Sequence, residues 1–510
     1  MGLKALARRA VAAALFLSVA AALPESSRIL DLIDAGKYEE ALDAAKANLS
    51  AIEAASGPSS RDAARAIALV VKAGYWSSKP KDPDLLALAR RGVAIDEKAS
   101  GPDSPAAADS LLGLAALLIA RGDMDEAKPD CERALAIREK EFGPRSLEAA
   151  AARRWLGVVF EDEGDLNRAA AEQGRALAVQ EELLRPEDRE IANTLNSLAS
   201  VQRQLGDYPH AIESRLRCLA IREKAYGPDH PQVAWAAHNL ANLYADQGEF
   251  AKAKELYARA LAIRERTEPP DHPDLGYSHN SLGITAYGLG DYAGARAEYE
   301  RALGIRERSL GGDHALVAAT LNNLGNLLDE MGEPEDARDA LTRALDVKTR
   351  KLGPDHVSTA MTANNLGNVL GELGEFERAE ELTRRALAIR EKELGPDHAD
   401  VGRSLDDLGW LRELRGDPAS GVPFLERALA VREKALGPDH PDVAATLVRL
   451  AIVRSEAGDR PRALTEATRA LQIRRTALGP DHPAVASTEA LAASIQLDLG
   501  DHAEALTSAL

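Results

Sequence analysis

The sequence predicts an all-α protein, a right-handed α-solenoid (superhelix) of antiparallel helix-turn-helix repeats. Two interleaved glycine series in one register, and an apolar stripe at helical spacing between them, carry that prediction. Gly-Pro-Asp-His or a close relative begins at Gly227, Gly311, Gly353, Gly395, Gly437 and Gly479. Degenerate versions begin at Gly101, Gly143, Arg185 and Pro269, and all ten share one 42-residue register. A second glycine follows each start by 21 residues, from Gly122 to Gly500.

Taken in order, residues 1–23 open the chain with Lys4, Arg8 and Arg9, then run apolar through Leu15, Phe16, Leu17 and Val19 to small residues at Ala20 and Ala22. That layout predicts a signal peptide or N-terminal anchor, and with it an exported protein, periplasmic or envelope-associated; read instead as a first helix, it leaves the protein cytoplasmic. Residues 25–100 read as degenerate repeats: Gly36-Lys37-Tyr38 opens a helix, Gly57 lies 21 residues later, and Ser77 to Pro83 form a loop where the next helix should begin. Residues 101–478 are nine regular units, and 479–510 a partial one.

Within a unit each half reads as a helix. Val317, Leu321, Leu324 and Leu328 make one stripe, and Ala337, Leu341, Ala344 and Leu345 the next. Position four of each unit is His, Ser or Asp, often followed by proline, which predicts an N-cap with proline in the first turn. The mid-unit glycine supplies a left-handed residue that ends the first helix, helix A, before the second, helix B. Helices of roughly 16 residues, about 24 Å long, follow from the 1.5 Å rise.

Composition agrees. Aromatics are 4% and charged residues 28%, a mix that favours helix over sheet. Two cysteines exclude a disulfide scaffold. A net charge of −18 argues against a nucleic-acid partner and an anionic membrane surface. No low-complexity linker interrupts the repeats, so one elongated domain is expected.

Asn322-Asn323-Leu324-Gly325-Asn326-Leu327, then Gly332-Glu333-Pro334-Glu335-Asp336-Ala337, Arg343-Ala344-Leu345 and Gly353-Pro354-Asp355-His356 resemble the 42-residue tetratricopeptide repeat of kinesin light chains, which many bacterial repeat proteins share. The resemblance covers residues 101–510 strongly and 25–100 weakly. It implies a concave groove lined by A helices, a protein or peptide partner held there, and no catalysis, cofactor or small-molecule substrate. Gly325 and Ala337 match positions where helices come close. The heptad coiled coil of kinesin light chains is absent, so a motor role is not implied.

Counting from each unit start, offsets 8, 11, 15 and 18 form the helix A stripe opposite the core. It carries Asn193 and Asn196; Trp235, His238 and Asn242; Tyr277 and Asn280; Asn322 and Asn326; Asn364 and Asn368; Arg403, Asp406 and Trp410. An amide both donates and accepts, so an asparagine ladder can pair with the backbone of an extended peptide whatever its sequence. The plainer reading is that some of these amides bridge adjacent helices, with Asn239, Asn323 and Asn365 the best placed to do so. Aromatics on the stripe are either inter-repeat packing or anchors for a ligand; Trp155, one position off it, reads as packing.

Seven unit-start histidines, from His230 to His482, recur one per unit. Successive units are separated by two helix layers of roughly 8–10 Å, whereas zinc ligands converge at about 2 Å, so these residues predict caps rather than a metal site. Cys131 and Cys218, two units apart on helix B, predict buried thiols.

The functional expectation is a non-enzymatic interaction scaffold. Its alternative is the sensor region of a larger signalling or effector enzyme whose catalytic domain is absent from this chain. The last helix B begins at Asp501 and has half its expected length, so Leu506 and Leu510 predict a bare apolar end and self-association through it.

Overall fold

The computed structural model describes residues 25–77, 82–480 and 482–500. The expected export segment at 1–23 and the half-helix at 501–510 lie outside the described residues. The chain divides into two compact units, Met1–Leu289 and Gly290–Leu510. Nothing in the repeat register marks that division.

The first unit contains α1 (Ser26–Asp34), α2 (Tyr38–Ser56), α3 (Arg61–Trp76), α4 (Pro83–Ser100), α5 (Pro105–Arg121), α6 (Met124–Phe142) and α7 (Leu147–Asp162). It continues with α8 (Leu166–Leu183), α9 (Arg189–Gln204), α10 (Tyr208–Tyr226), α11 (Pro231–Asp246), α12 (Phe250–Thr267) and α13 (Pro273–Gly288). The second unit contains α14 (Tyr292–Leu310), α15 (Ala315–Glu330), α16 (Pro334–Leu352), α17 (Val357–Glu372) and α18 (Phe376–Leu394). It ends with α19 (Ala399–Leu414), α20 (Pro418–Leu436), α21 (Pro441–Glu456), α22 (Arg460–Leu478) and α23 (Pro483–Asp498). Odd-numbered helices are A helices and even-numbered ones are B helices. In each unit the helices stack as an α-solenoid, each hairpin packing on the next. No described helix is long and apolar enough to cross a membrane.

The helix boundaries have direct chemical causes. His230, His272, His314, His356, His398, His440 and His482 are N-caps, each Nδ1 accepting the backbone N–H two residues on at 3.0–3.3 Å. Ser104 and Ser146 do the same work through Oγ, reaching the N–H three residues on at 3.2 and 3.1 Å. Asp188 accepts from Glu190 N–H at 2.9 Å. Each satisfies one of the donors that a helix start leaves unpaired. Gly332 at φ 74° closes α15 through a turn that side chains disfavour. Gly353 ends α16 at φ 94°, ψ 156°, a region that is essentially glycine-only. The two repeats that lack this glycine adapt by ending the preceding helix on an extended residue, Leu184 or Glu268.

Tight packing between A and B helices explains the small residues. A Cβ on Gly325 would lie 2.6 Å from Leu341 Cγ and 3.3 Å from the Ala337 carbonyl oxygen. Val317, Leu321, Leu324 and Leu328 are all buried, as their stripe predicts. Each such side chain contributes about 1.5–3 kcal/mol of apolar transfer.

A buried cation recurs at most junctions between successive repeats, at offset 37, where one repeat has Gln180 instead. Arg138, Arg222, Arg306, Lys348, Arg390 and Arg432 are buried on B helices, and Arg474 repeats the arrangement half-buried. Each donates to the backbone carbonyl ten residues on, at 2.9–3.3 Å. That carbonyl lies in the first turn of the following A helix. Most also reach a hydroxyl one turn deeper, as Lys348 reaches Thr362 at 2.7 Å and Arg390 reaches Ser404 at 2.6 Å.

The first unit departs from nearest-neighbour stacking. Asp34, at the end of α1, pairs with Arg189 at 2.8 Å, and its carbonyl oxygen accepts from His230 Nε2 at 2.8 Å. Gln232 donates to the Tyr38 hydroxyl at 3.0 Å. The start of the array therefore closes onto the N-terminal ends of α9 and α11, with 196 residues separating Asp34 from His230.

Candidate functional site

The candidate site is the face formed by the A helices, taken separately in each unit. In the first unit much of it is filled by its own side chains. Tyr38 stacks on Trp76, Tyr75 packs edge-on against Trp155, and Trp155 is fully buried. Leu111, Leu112 and every residue from Leu114 to Ala120 on α5 are buried, so that stretch offers no open groove. Trp155 is packing, as its position predicts.

Further along, α9, α11 and α13 hold a cavity of about 40 Å³. Trp235, His238, Asn242 and Tyr277 line it, together with Arg203, Arg215 and Arg264. Four of the residues predicted for the groove thus converge here. His238 is sandwiched between Tyr257 and Tyr277, with ring centroids 4.7 and 4.5 Å away. Burial first, then the neighbouring Arg264 charge, pushes its pKa well below the ordinary imidazole value, so the ring is neutral. Asn242 accepts from the Tyr257 hydroxyl at 2.6 Å.

In the second unit the face is carried by α15, α17, α19 and α21. The amides at offset 11 do not point outward. Asn322 Oδ1 accepts from Thr362 at 2.8 Å and from Asn365 Nδ2 at 3.2 Å. Asn364 Oδ1 accepts from Ser404 at 2.8 Å and Arg390 at 3.3 Å, while its Nδ2 donates to Asp407 at 2.5 Å. Asp406, the equivalent in the next repeat, is buried against Arg449 at 2.8 Å and Arg432 at 3.6 Å. Asn196 likewise accepts from Arg215 and Asn239 in the first unit.

The expected peptide ladder is therefore corrected at Asn193, Asn196, His238, Asn280, Asn322, Asn364 and Asp406, all of which are buried between helices. Offset 11 faces the neighbouring A helix, and a buried amide there must be paired within the protein. Asn193, at offset 8, is turned instead toward Arg222, whose Nη2 it accepts from at 3.4 Å. Asn239 and Asn365 make the inter-helix bridges expected of them. What remains on the face is Trp235, Asn242 and Tyr277 in the first unit, and Asn326, Asn368, Trp410 and the exposed Arg403 in the second. Asn326 and Asn368 have no side-chain hydrogen bond among the described residues.

Carboxylates rim this face in the second unit. Burial first, then Glu372 and Glu330, pushes Asp329 up to about 7, and Glu413 rises through burial and Glu456. Arg449 lies over the Trp410 ring at 5.7 Å. The buried cations at the repeat junctions escape a stripe-by-stripe reading, because arginine after an apolar pair reads as a solvated helix end. Their recurrence every 42 residues, broken only by Lys348 and Gln180, was the available signal. Cys131 and Cys218 are free and buried.

Residues 106–182, 190–266, 274–350, 343–392, 358–434 and 413–476 match a tetratricopeptide repeat family model. Residues 238–309 match a second model of the same description. No curated protein matches the chain. Among solved structures, kinesin light chain nearly identical TPR-like repeats from Podosopora anserina are 22% identical, with 39% of this chain and 95% of that chain covered and a TM-score of 0.37. BtubC (BKLC) from P. vanneervenii is 26% identical over 45% of this chain and 90% of that chain, with a TM-score of 0.37. The apo form of RapI is 16% identical over 56% of this chain and 98% of that chain, with a TM-score of 0.46.

Proposed function

Because this chain belongs to the tetratricopeptide repeat family, a fold that typically serves as a non-catalytic protein–protein interaction scaffold, we propose that it holds an extended segment of a protein partner against its A-helix faces. The observation that carries this reading is the contrast between two sets of amides on the same helices. Asn322 and Asn364 are consumed by inter-repeat bonds. Asn326 and Asn368, one turn further on, are half-buried and unpaired among the described residues, and the Asn368 Oδ1 atom is shielded from solvent without a partner. The shielded, unpartnered Asn368 Oδ1 costs free energy that a peptide N–H would recover, and Asn326 leaves its amide open to the same backbone. Trp410, at the equivalent position of the repeat after Asn368, offers an apolar anchor with a polar edge.

Selection of a random peptide library on the immobilised full chain tests this directly. Selected peptides should lose binding to the Asn326→Ala, Asn368→Ala double variant while its helical circular dichroism is unchanged. Equal binding by that variant sinks the proposal. The apolar segment at 1–23 further supports placing the scaffold outside the cytoplasm. Sequencing the N-terminus of the mature protein from the envelope fraction tests that placement, and an intact Met1 in the cytosolic fraction refutes it.

A further inference from the structure

The contact that joins the start of the array to α9 and α11 is fitted in detail. Asp34 pairs with Arg189 at 2.8 Å, and its carbonyl oxygen accepts from His230 Nε2 at 2.8 Å. Gln232 donates to the Tyr38 hydroxyl at 3.0 Å, and the Arg189 guanidinium lies over the Tyr226 ring at 5.4 Å. Tyr226 stacks in turn on His230, with ring centroids 4.4 Å apart. The turn between α1 and α2 is shaped to its neighbour as well. A Cβ on Gly36 would lie 3.0 Å from Pro231 Cγ, whereas Gly206, Gly248, Gly290 and Gly332 at equivalent turns have nothing within 4 Å.

The repeats do not need this contact in order to fold. A solenoid unit draws its stability from its own hairpin and its nearest neighbours, and the helices from α2 to α11 already pack consecutively on one another. The contact is also incompletely filled. A cavity of about 120 Å³ remains in it, bordered by Tyr38, Lys72, Trp76, Glu190 and Asn193, where close-packed interiors seldom leave a void larger than one water. Two atoms of those bordering residues, Glu190 Oε2 and Asn193 Nδ2, are shielded from solvent without a partner among the described residues. Burial holds the Lys72 ammonium below its ordinary range and the Glu190 carboxyl above its own. Desolvated and unmatched groups cost free energy that contact with water returns. Against that cost stands an ion pair whose Asp34 and Arg189 side chains are 50% and 39% exposed, a kind that stabilises weakly.

We infer that this contact is a separable latch: α1 to α3 close on the N-terminal ends of α9 and α11 and part from them again, while the hairpins themselves stay folded. Small rotations at each junction from α3 to α9 add up to the opening, because the curvature of a solenoid is the sum of its per-repeat rotations. Closed, the latch covers the starts of two A helices of the first unit; open, it leaves them to solvent or to a partner. Only the use a partner makes of it rests on the scaffold reading.

Cys131 and Cys218 are fully buried, so nitroxide labels go to cysteines introduced at exposed positions of the full chain. Asp31→Cys with Ala225→Cys spans the latch, and Leu183→Cys with Ala225→Cys spans two neighbouring B helices, α8 and α10, as a reference. Arg189→Gln removes the ion pair. His230→Ser removes the Nε2 donor but keeps a capping residue, the one that serves α5 and α7 as Ser104 and Ser146. With the latch intact, the distance from residue 31 to residue 225, read by double electron–electron resonance, should be short and single. With both latch substitutions a second, longer distance should hold at least half of the molecules, while the reference distance and the helical circular dichroism are unchanged. A single short distance in both backgrounds overturns the inference and makes the closure a rigid part of the first unit. Lost helicity or a changed reference distance overturns it too, since the contact would then be holding the hairpins together. No partner is added, so neither result bears on the peptide proposal.

Discussion

Asn322 and Asn365 lie 43 residues apart in the chain, yet Asn365 Nδ2 donates to Asn322 Oδ1 at 3.2 Å. The same spacing joins Asn196 to Asn239, Asn364 to Asp407 and Asp406 to Arg449. These bonds connect neighbouring A helices, and one polar side chain per repeat therefore fixes how far successive hairpins slide. In a solenoid, where stability is a sum of unit and interface terms, such a bond acts on every neighbour pair it joins.

Asn322→Ala leaves Thr362 and Asn365 without their shared acceptor in a buried site. The expected loss is about 1–3 kcal/mol, the usual cost of an unmatched buried donor. Asn326→Ala removes a side chain that bonds nothing among the described residues, and its effect should stay within about 0.5 kcal/mol. Urea unfolding of the two variants compares them on one scale. A larger loss for Asn326→Ala would invert the assignment of bridge and face.

Gly325 tests the close contact of A and B helices. A valine there would drive its side chain into Leu341 and the Ala337 carbonyl, and overpacking of this kind costs typically about 1–3 kcal/mol. Gly325→Val should lower the melting temperature. The double substitution Gly325→Val, Leu341→Ala should recover part of that loss, because it removes the group at 2.6 Å. No recovery would mean that the backbone contact at 3.3 Å dominates.

The legible and illegible parts of this molecule divide along one line. Glycine and histidine positions were readable because Gly353 and His356 act on their own backbone, within four residues. The stripe of Val317 and Leu321 was readable because helical period alone places it. Asn322 was not, since α15 carries amides at Asn322, Asn323 and Asn326 and only the neighbouring helix decides which of them is buried. Arg390 was missed for a related reason: its partners Asp400 and Ser404 lie on the next hairpin. The contact of Asp34 with Arg189 follows no repeat period at all. Caps and core stripes, set within one 42-residue unit, could be inferred; contacts between repeats mostly could not, the bridges at Asn239 and Asn365 being the exception.

The histidine caps carry a pH signature. His314 accepts the Leu316 N–H through Nδ1, which only the neutral ring can do. Burial, then Arg306 and Lys351, holds its pKa below the ordinary imidazole value of about 6.5. The unfolded chain therefore takes up the proton first as pH falls. The cap's contribution is complete above about 6.5 and is lost as pH drops through the lower folded value. His314→Asp places at this position the residue that caps α9 as Asp188, with no imidazole to titrate. The stability difference between His314→Asp and the unsubstituted chain should shift in the variant's favour between about pH 6.5 and 5. A difference flat across that range would remove the imidazole from the cap's energetics.

Lys348 replaces the buried arginine of its neighbours and makes the cost of that position measurable. It is 3% exposed, its Nζ donating to Thr362 at 2.7 Å and to the Ser358 carbonyl at 3.3 Å. Burial pulls its pKa from 10.5 down to about 8. Between those values the unfolded chain holds a proton that the folded chain has released, so stability rises with pH across the window. Below about 8 both states are charged and the desolvation cost applies in full. It is on the order of 3 kcal/mol, since each tenfold change in a protonation equilibrium corresponds to about 1.4 kcal/mol. Lys348→Met removes that cost and leaves Thr362 still bonded to Asn322 at 2.8 Å. At pH 7 the methionine variant should match or exceed the unsubstituted chain in urea unfolding. Its advantage should shrink as pH rises from 8 to 10.5, because the lysine then sheds its charge on its own. An advantage that grows over that range, or a pH-independent loss, would show that the ammonium's two hydrogen bonds outweigh the water it gave up.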